Sequence, residues 1–117
     1  MQSDRIILNY QREDDILYVS FGQEGRKGVG LNLHANILLR FDRSSGEPLG
    51  LTFIDYSKLK TQTTIPLNDF SSTPEELQKT VRQILLAEPV CRFIEIDPHT
   101  FRNLAVINPS MEKVIAA

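Results

Sequence analysis

Alternation of apolar and polar residues with a period of two is the feature that most constrains how this chain can fold. In the stretch "ILLRFDRSSGEPLGLTFID", residues 37–55, apolar side chains recur at every second position from Ile37 to Phe41. After a cluster of Asp, Ser, Gly, Glu and Pro, the alternation resumes at Leu49 and continues to Phe53. Because successive side chains of a strand point to opposite faces, this pattern predicts two half-buried strands joined in a hairpin.

The same pattern covers the rest of the first half of the chain. Segments 5–10 and 16–21 are joined by a short polar turn and predict a second hairpin, and residues 29–34 alternate again. The first half is therefore predicted to be an antiparallel meander. Residues 58–70 fit a strand or a loop equally well, and further strands are predicted at 90–96 and 104–107.

One helix is predicted in the second half. Thr73 is placed to cap it, Pro74 suits the first helical position, and Glu76 has the spacing of a capping box. The helix should end before Pro89, which disfavours helical geometry in the preceding residue. An apolar stripe at helical spacing is formed by Leu77, Val81, Ile84 and Leu85. These features predict a principal helix over about 73–88, with its stripe packed on one face of the sheet.

Together these elements predict an α+β fold. We expect a mainly antiparallel β-sheet, a meander of five to seven strands, with the one principal helix packed against it. A chain of 117 residues is long enough for one hydrophobic core, so residues 1–117 are expected to form a single domain. Residues 9–57 supply the meander, and residues 58–117 supply the helix and the strands that complete the fold.

Composition and charge exclude several functions. The chain is 41% hydrophobic and 24% charged, the values of an ordinary soluble protein. A net charge of -2 and a pI of about 5.6 leave no basic footprint, so we expect no nucleic-acid partner. Lys79 and Arg82 follow Glu75 at helical spacing, which predicts a salt-bridged outer face of the helix.

The N-terminus gives an expectation about location. Its apolar triplet, residues 6–8, is too short for the core of a secretion signal, and no apolar run reaches membrane-spanning length. Cys91 is the only cysteine, so no internal disulfide is expected. A cytoplasmic protein without membrane contact is the resulting expectation.

The glycine-rich segment after residue 21 contains one candidate ligand-binding motif. Residues 25–28, Gly-Arg-Lys-Gly, have the form of a GxxG clamp whose two cations could hold a phosphate. A phosphate-binding loop of the P-loop type leads into a helix, whereas strand-like alternation follows here from Val29. The segment is therefore predicted to be a connection between strands.

The histidines and the cysteine do not form a recognisable catalytic or metal-binding pattern. His34 and His99 lack the spacing to a second ligand that a metal site on one element requires. His34 falls on the polar phase of its strand and is expected to be solvated, and His99 lies in the turn "DPHT". Cys91 lies in the predicted strand 90–96 and is expected to be a core residue. No metal, no cofactor and no specific catalytic residue is predicted.

The carboxylates also favour structural roles. Asp14 and Asp15 are adjacent, so in a strand they would point to opposite faces and could not act as a catalytic pair. Asp42 can accept hydrogen bonds from the backbone of its turn, while Gly46 can take a positive φ. The hairpin turn is therefore predicted to be scaffold.

Residues 9–57 resemble a short bacterial family, domain of unknown function number 2283. The resemblance is carried by "YQREDDILYVSF" and by "ILLRFDRSSGEPLGLTFID", where family members show an apolar strand, a turn with an Asp and a Gly, and a second strand. The matching positions are Asp15, Leu17, Tyr18, Asp42, Gly46 and Gly50. Thr52 stands where such sequences often carry Glu. The resemblance implies a topology of strands and turns. It favours a scaffold or interaction module over an enzyme.

The leading functional hypothesis is a non-enzymatic binding or assembly module that forms a homodimer. Ile16 and Tyr18 lie on one phase of strand 16–21 while other apolar residues lie on the opposite phase, so both faces of this strand are candidates for burial. A small hydrolase or nuclease using Asp42, His34 or His99 is one alternative. An antitoxin-like partner of a small toxin is another.

Overall fold

The computed structural model describes residues 6–21, 28–62, 64–67 and 70–107, and places them in two antiparallel sheets and two α-helices. The larger sheet contains β1 (Ile6–Gln11), β2 (Ile16–Phe21), β3 (Val29–His34), β4 (Ile37–Phe41) and β5 (Pro48–Ile54). The smaller sheet contains β6 (Ile65–Pro66), β7 (Ile94–Ile96) and β8 (Asn103–Val106). The helices are α1 (Tyr56–Leu59) and α2 (Glu75–Leu86). The predicted α+β fold class is confirmed.

The order of strands in the larger sheet departs from a continuous meander. It is β1-β2-β5-β4-β3, so β5 lies between β2 and β4 rather than at an edge. Leu51 is paired with Val19 on one side and with Leu39 on the other. Consecutive hairpins fit the local pattern, but the pairing of β2 with β5 depends on contacts far apart in the chain. β1 and β3 are the edge strands.

The β4–β5 hairpin forms as the sequence predicts. Asp42 accepts hydrogen bonds from the backbone N–H groups of Ser44 (2.9 Å) and Ser45 (3.3 Å), and Gly46 has a φ of 77°. Ile37 is paired with Phe53, as the alternation requires. A shift of register at the end of β4 then pairs Phe41 with Pro48 rather than with Leu49.

The second half corrects one strand prediction and resolves a segment that the sequence left open. The segment 90–96 is not one strand, because Val90–Arg92 forms a 3₁₀ turn closed by a hydrogen bond from the Phe93 N–H to the Val90 carbonyl (2.9 Å). Only Ile94–Ile96 pairs as β7. In the ambiguous stretch 58–70, β6 is a two-residue strand paired with β8. The preceding helix α1 was not predicted.

Helix α2 confirms the predicted stripe but not the predicted cap. Val81, Ile84 and Leu85 are buried. The capping box does not form, because Pro74 occupies the cap position and no side chain caps the helix. Instead the Gln78 side-chain amide donates a hydrogen bond to the backbone carbonyl of Thr73 over 2.8 Å.

A single hydrophobic cluster joins both sheets and α2. It includes Leu17 and Phe53 of the larger sheet, Val81 of α2 and Leu104 of the smaller sheet. Phe21 and Phe93 contact each other across the layers, with ring centroids 5.9 Å apart. Helix α2 and the smaller sheet therefore cover the inner face of the larger sheet. Within the described ranges, no helix combines the length and apolarity that crossing a membrane requires.

Candidate functional site

The residues proposed for an enzymatic site lie in separate parts of the fold. His34 is paired with Ile37 at one end of β4, and Asp42 follows the other end. At about 3.3 Å for each strand residue, five positions separate these ends by roughly 16 Å. His99 lies in the turn between β7 and β8, where its backbone N–H donates to Asp97. His34 and Asp42 are therefore too far apart to form a hydrogen bond with each other.

Each of these side chains has a local partner or an exposed position. The Nδ1 atom of His34 accepts a hydrogen bond from the backbone N–H of Asn36 (3.1 Å), which fixes the β3–β4 turn. His34 is half-buried rather than fully solvated, and His99 is exposed. Asp97 accepts from the His99 N–H and the Thr100 hydroxyl, and these hydrogen bonds hold the pKa of its carboxyl below the ordinary value.

Cys91 and the glycine clamp do not add a site. Cys91 lies in the 3₁₀ turn Val90–Arg92 and is half-buried, so its predicted place in a core strand was wrong. The clamp residues 25–27 lie outside the described residues. At Gly28, an added Cβ would lie 2.5 Å from the Phe41 carbonyl oxygen, which gives this glycine a packing role. The described part of the chain contains no group of three or more His, Cys, Asp or Glu residues able to hold a metal ion.

A cluster of polar side chains that the sequence did not predict lies at one end of the larger sheet. Asp15, with a φ of 56°, accepts hydrogen bonds from the Tyr10 hydroxyl (2.6 Å) and the Ser57 hydroxyl (2.6 Å). Its carboxylate also accepts from the Ser57 backbone N–H (3.1 Å), and its carbonyl accepts from the N–H of Tyr56 (3.0 Å). The β1–β2 turn is thus fastened to the start of α1.

The chemistry of this cluster is that of a structural clasp. Hydrogen bonds from Ser57 and then Tyr10 lower the pKa of the Asp15 carboxyl, which makes the carboxylate a weaker base. The hydrogen bond to Asp15, together with burial, raises the pKa of Tyr10. A serine nucleophile needs an adjacent general base to remove its proton. Asp15 is poorly suited to that task, so Ser57 acts here as a hydrogen-bond donor.

The outer face of the larger sheet is the most extensive feature without an evident structural role. One row across the sheet, taken strand by strand in spatial order, is Asn9, Tyr18, Thr52, Leu38 and Asn32. The next row contains Gln11, Ile16 and Ile54. Tyr18 is 41% exposed and Ile54 is 40% exposed, whereas their neighbours in sequence, Leu17 and Phe53, are fully buried.

This face is nearly free of charged groups. The row on the far side of Tyr18 contains Ile7, Ser20, Gly50, Arg40 and Gly30. Arg40 is the only charged residue in the three rows. The solvated face of an antiparallel sheet ordinarily carries many polar and charged side chains. Apolar residues on both phases of β2 indicated this face in the sequence, while Ile54 was missed because it lies beyond the recognised alternation of β5.

Comparisons with known proteins do not add to this geometry. No family model, no characterised protein and no solved structure matches the chain. The resemblance of residues 9–57 to domain of unknown function number 2283 therefore stays a prediction, as does the assignment of residues 1–117 to a single domain.

Proposed function

We propose that this protein is a non-enzymatic assembly module that forms a homodimer through the outer face of its five-stranded sheet. The observation that carries the proposal is the exposure of Tyr18 and Ile54, 41% and 40%, on a face with one charged residue in three rows. Burial of such side chains against a second copy is favourable by the hydrophobic effect.

A second copy suits this surface better than a partner of different charge. In a twofold-symmetric interface the same patch meets itself, so the patch must be self-complementary. Around the symmetry axis, side chains such as Tyr18, Thr52 and Ile54 can meet their own copies without like-charge repulsion. Arg40 lies in the row that contains Ser20 and Gly50, which is one of the two outer rows, and there it can stay at the rim of the contact.

The size of the face sets the expected affinity. Five strands spaced about 4.8 Å apart and six residues long give roughly 400 Å² of projected area. Standard complexes bury about 800 Å² on each partner, so this face has about half the standard area. We therefore expect a dimer that dissociates on dilution, with a Kd in the micromolar range.

Sedimentation velocity between about 1 and 100 µM tests the proposal. The wild-type protein should shift from monomer to dimer as its concentration rises. A double variant, Tyr18→Lys and Ile54→Lys, should remain monomeric, because the interface would bury unpaired charges. Leu86→Lys is the matched control, since Leu86 is 46% exposed but lies on α2. It should dimerise like the wild type.

Two results would overturn the proposal. The first is a wild-type protein that stays monomeric over the whole concentration range. The second is a double variant that dimerises as well as the wild type, which would place the contact elsewhere, for instance at the edge strands β1 or β3. Co-purification of a second small protein bound in place of the homodimer would favour the antitoxin-like alternative. The hydrolase or nuclease alternative has less support, because His34 and Asp42 lie at opposite ends of β4.

A further inference from the structure

A cleft of about 370 Å³ lies between α2 and the smaller sheet, away from the outer face described above. Its volume falls within the range of pockets that bind small molecules. Its main lining side chains come from the 3₁₀ turn Phe70–Ser72, from α2 and from the β7–β8 connection; they are Phe70, Gln78, Arg82, Thr100, Phe101 and Arg102.

The apolar part of the cleft is built from two phenylalanine rings. The centroids of Phe70 and Phe101 are 6.3 Å apart and the rings are tilted by 32°. Phe70 is buried, while Phe101 is half-buried and has a φ of 51°. A positive φ is rare for a bulky side chain and persists only where surrounding contacts enforce it. The Phe101 backbone N–H donates to the Asp97 carbonyl (3.0 Å), which helps to hold this conformation.

The charged part of the cleft consists of two arginines. The guanidinium carbon of Arg82 lies 5.3 Å from the centroid of the Phe101 ring, and one of its nitrogen atoms donates to the Gln78 side chain over 3.4 Å. Arg82 therefore lines the cleft while it stays exposed on α2, and within the described ranges the salt bridge predicted for it does not form. The backbone of Arg102 is fixed by a hydrogen bond from the Leu67 N–H to its carbonyl (2.8 Å).

The described lining of the cleft has an excess of positive charge. Among the described residues, no carboxylate belongs to this lining, and neither Arg82 nor Arg102 forms an ion pair. Asp97 is the nearby acid on the same turn, and its two carboxylate oxygens already accept hydrogen bonds from His99 and Thr100. Guanidinium groups bind carboxylates and phosphates with paired hydrogen bonds. Arg82 and Arg102 therefore give the cleft an anion-binding group next to the apolar surface of its two phenylalanine rings.

We propose that this cleft binds a small organic anion in which a carboxylate or phosphate is attached to a planar apolar group. The anionic group contacts Arg82 and Arg102, and the planar group lies against Phe70 and Phe101. This site is independent of the homodimer, since it uses α2 and the smaller sheet rather than the outer face.

A titration of the full chain with phenylacetate tests the proposal. Binding is measured from the changes in backbone amide chemical shifts in NMR spectra. Phenylacetamide has nearly the same shape without the charge, and acetate has the charge without the ring. A probe of about ten heavy atoms with modest contacts should reach a Kd of about 1 mM. We expect saturable shifts that centre on the amides of Phe101 and Arg102, and at least tenfold weaker binding of phenylacetamide and of acetate.

Variants identify the groups responsible. Arg82→Gln and Arg102→Gln should each weaken phenylacetate binding by about tenfold or more, since each removes a charge-assisted hydrogen bond. Arg43→Gln removes the same charge from an exposed position in the β4–β5 turn and should leave the Kd within about twofold of the wild type. Phe101→Leu should weaken phenylacetate binding while leaving acetate binding unchanged. Circular dichroism confirms that each variant is folded.

Three results would overturn the inference. Absence of saturable shifts up to about 10 mM phenylacetate would show that the cleft does not bind such anions. Equal binding of phenylacetamide would show that the two arginines do not recognise the charge. If Arg43→Gln lost as much affinity as Arg82→Gln and Arg102→Gln, the binding would depend on the overall electrostatic field of the protein and not on the cleft. The dimer measurement is unaffected by any of these outcomes, so the two proposals fail separately.

Discussion

Gly50 is the glycine within the strands of the larger sheet that has the least room for a side chain. It lies in β5 opposite Ser20 of β2, and a Cβ added there would lie 2.7 Å from the backbone carbonyl oxygen of Val19. The obstacle is backbone rather than the end of a flexible side chain, so two central strands would have to separate. The family resemblance included Gly50, and this close approach is a physical reason for a glycine at the position.

Gly50→Ala should lower the free energy of unfolding by about 1–3 kcal/mol, because it overpacks a buried position. The measurement is urea denaturation followed by circular dichroism. Gly30→Ala is the matched control, since Gly30 is an exposed strand glycine whose added Cβ would meet only the Leu38 side chain, at 3.4 Å. Gly30→Ala should change the free energy of unfolding by no more than about 0.5 kcal/mol. If Gly50→Ala and Gly30→Ala lowered the free energy of unfolding equally, the close-approach explanation would be contradicted.

Two aspartates adopt left-handed backbone conformations at the same end of the sheet. Asp15 has a φ of 56° and Asp55 a φ of 58°. Asp tolerates this region better than most residues. Asp55 also accepts a hydrogen bond from the Asn36 side chain (3.3 Å), while Asp15 accepts from Tyr10 and Ser57. The sequence predicted a polar turn before Asp15 and no turn at Asp55. Ser57 and Asn36 lie 42 and 19 positions from the aspartates to which they donate, so neither donor could be identified from local pattern.

At the scale of elements, the β4–β5 hairpin is specified almost wholly by its own residues. Asp42, Gly46 and Pro48 each meet a local conformational requirement of the turn, and the alternation of the flanking strands sets which faces are buried. Such an element can be predicted from a single sequence because its hydrogen bonds are made within a few residues.

Asp42→Ala should lower the free energy of unfolding by about 1 kcal/mol, through loss of the hydrogen bonds from the Ser44 and Ser45 backbone. Thermal and urea denaturation measure the change. Ser44→Ala serves as the control, because it keeps the backbone N–H that Asp42 accepts, and it should be nearly neutral. An unchanged stability in Asp42→Ala would mean that the turn geometry is held by the strands alone.

The segment 90–96 shows where local pattern is insufficient. Val90, Phe93, Ile94 and Ile96 are all buried, as a strand prediction required. The segment nevertheless begins as a 3₁₀ turn, since the Arg92 N–H donates to the Pro89 carbonyl (3.1 Å). A short apolar run fits a buried strand or a buried turn, because its hydrophobicity sets burial and not backbone geometry.

At the scale of the whole molecule, the Asp15 clasp joins segments separated by 42 positions along the chain. Its hydrogen bonds lower the pKa of the folded-state carboxyl below the value in the unfolded chain. Between these two pKa values the unfolded state binds more protons, so stability rises with pH. The contribution of Asp15 is therefore present above the ordinary pKa of an aspartate and is lost as the pH falls through the folded-state value.

Urea denaturation at a series of pH values from about 7 to 3 tests this dependence. The wild-type protein should lose stability as the pH falls, and Asp15→Asn should show a shallower loss because one of the responsible carboxyls is gone. Asp97, whose pKa is also lowered, contributes with the same sign in both proteins. Asp14→Asn, at the adjacent exposed position, is the control and should follow the wild type. A wild-type slope in Asp15→Asn would show that the clasp does not couple to folding.

Periodicity and turn chemistry in the sequence were sufficient to determine the fold class, most of the strands, the buried stripe of α2 and the β4–β5 turn. These features depend on residues within a few positions of one another. The tertiary structure alone decided that β5 pairs with β2, that the outer face of the sheet stays exposed, and that Arg82 and Arg102 meet Phe101 at one cleft. The physical reason is that strand order and side-chain convergence follow from long-range packing, and residues far apart in the chain carry no local mark of the neighbours they will meet.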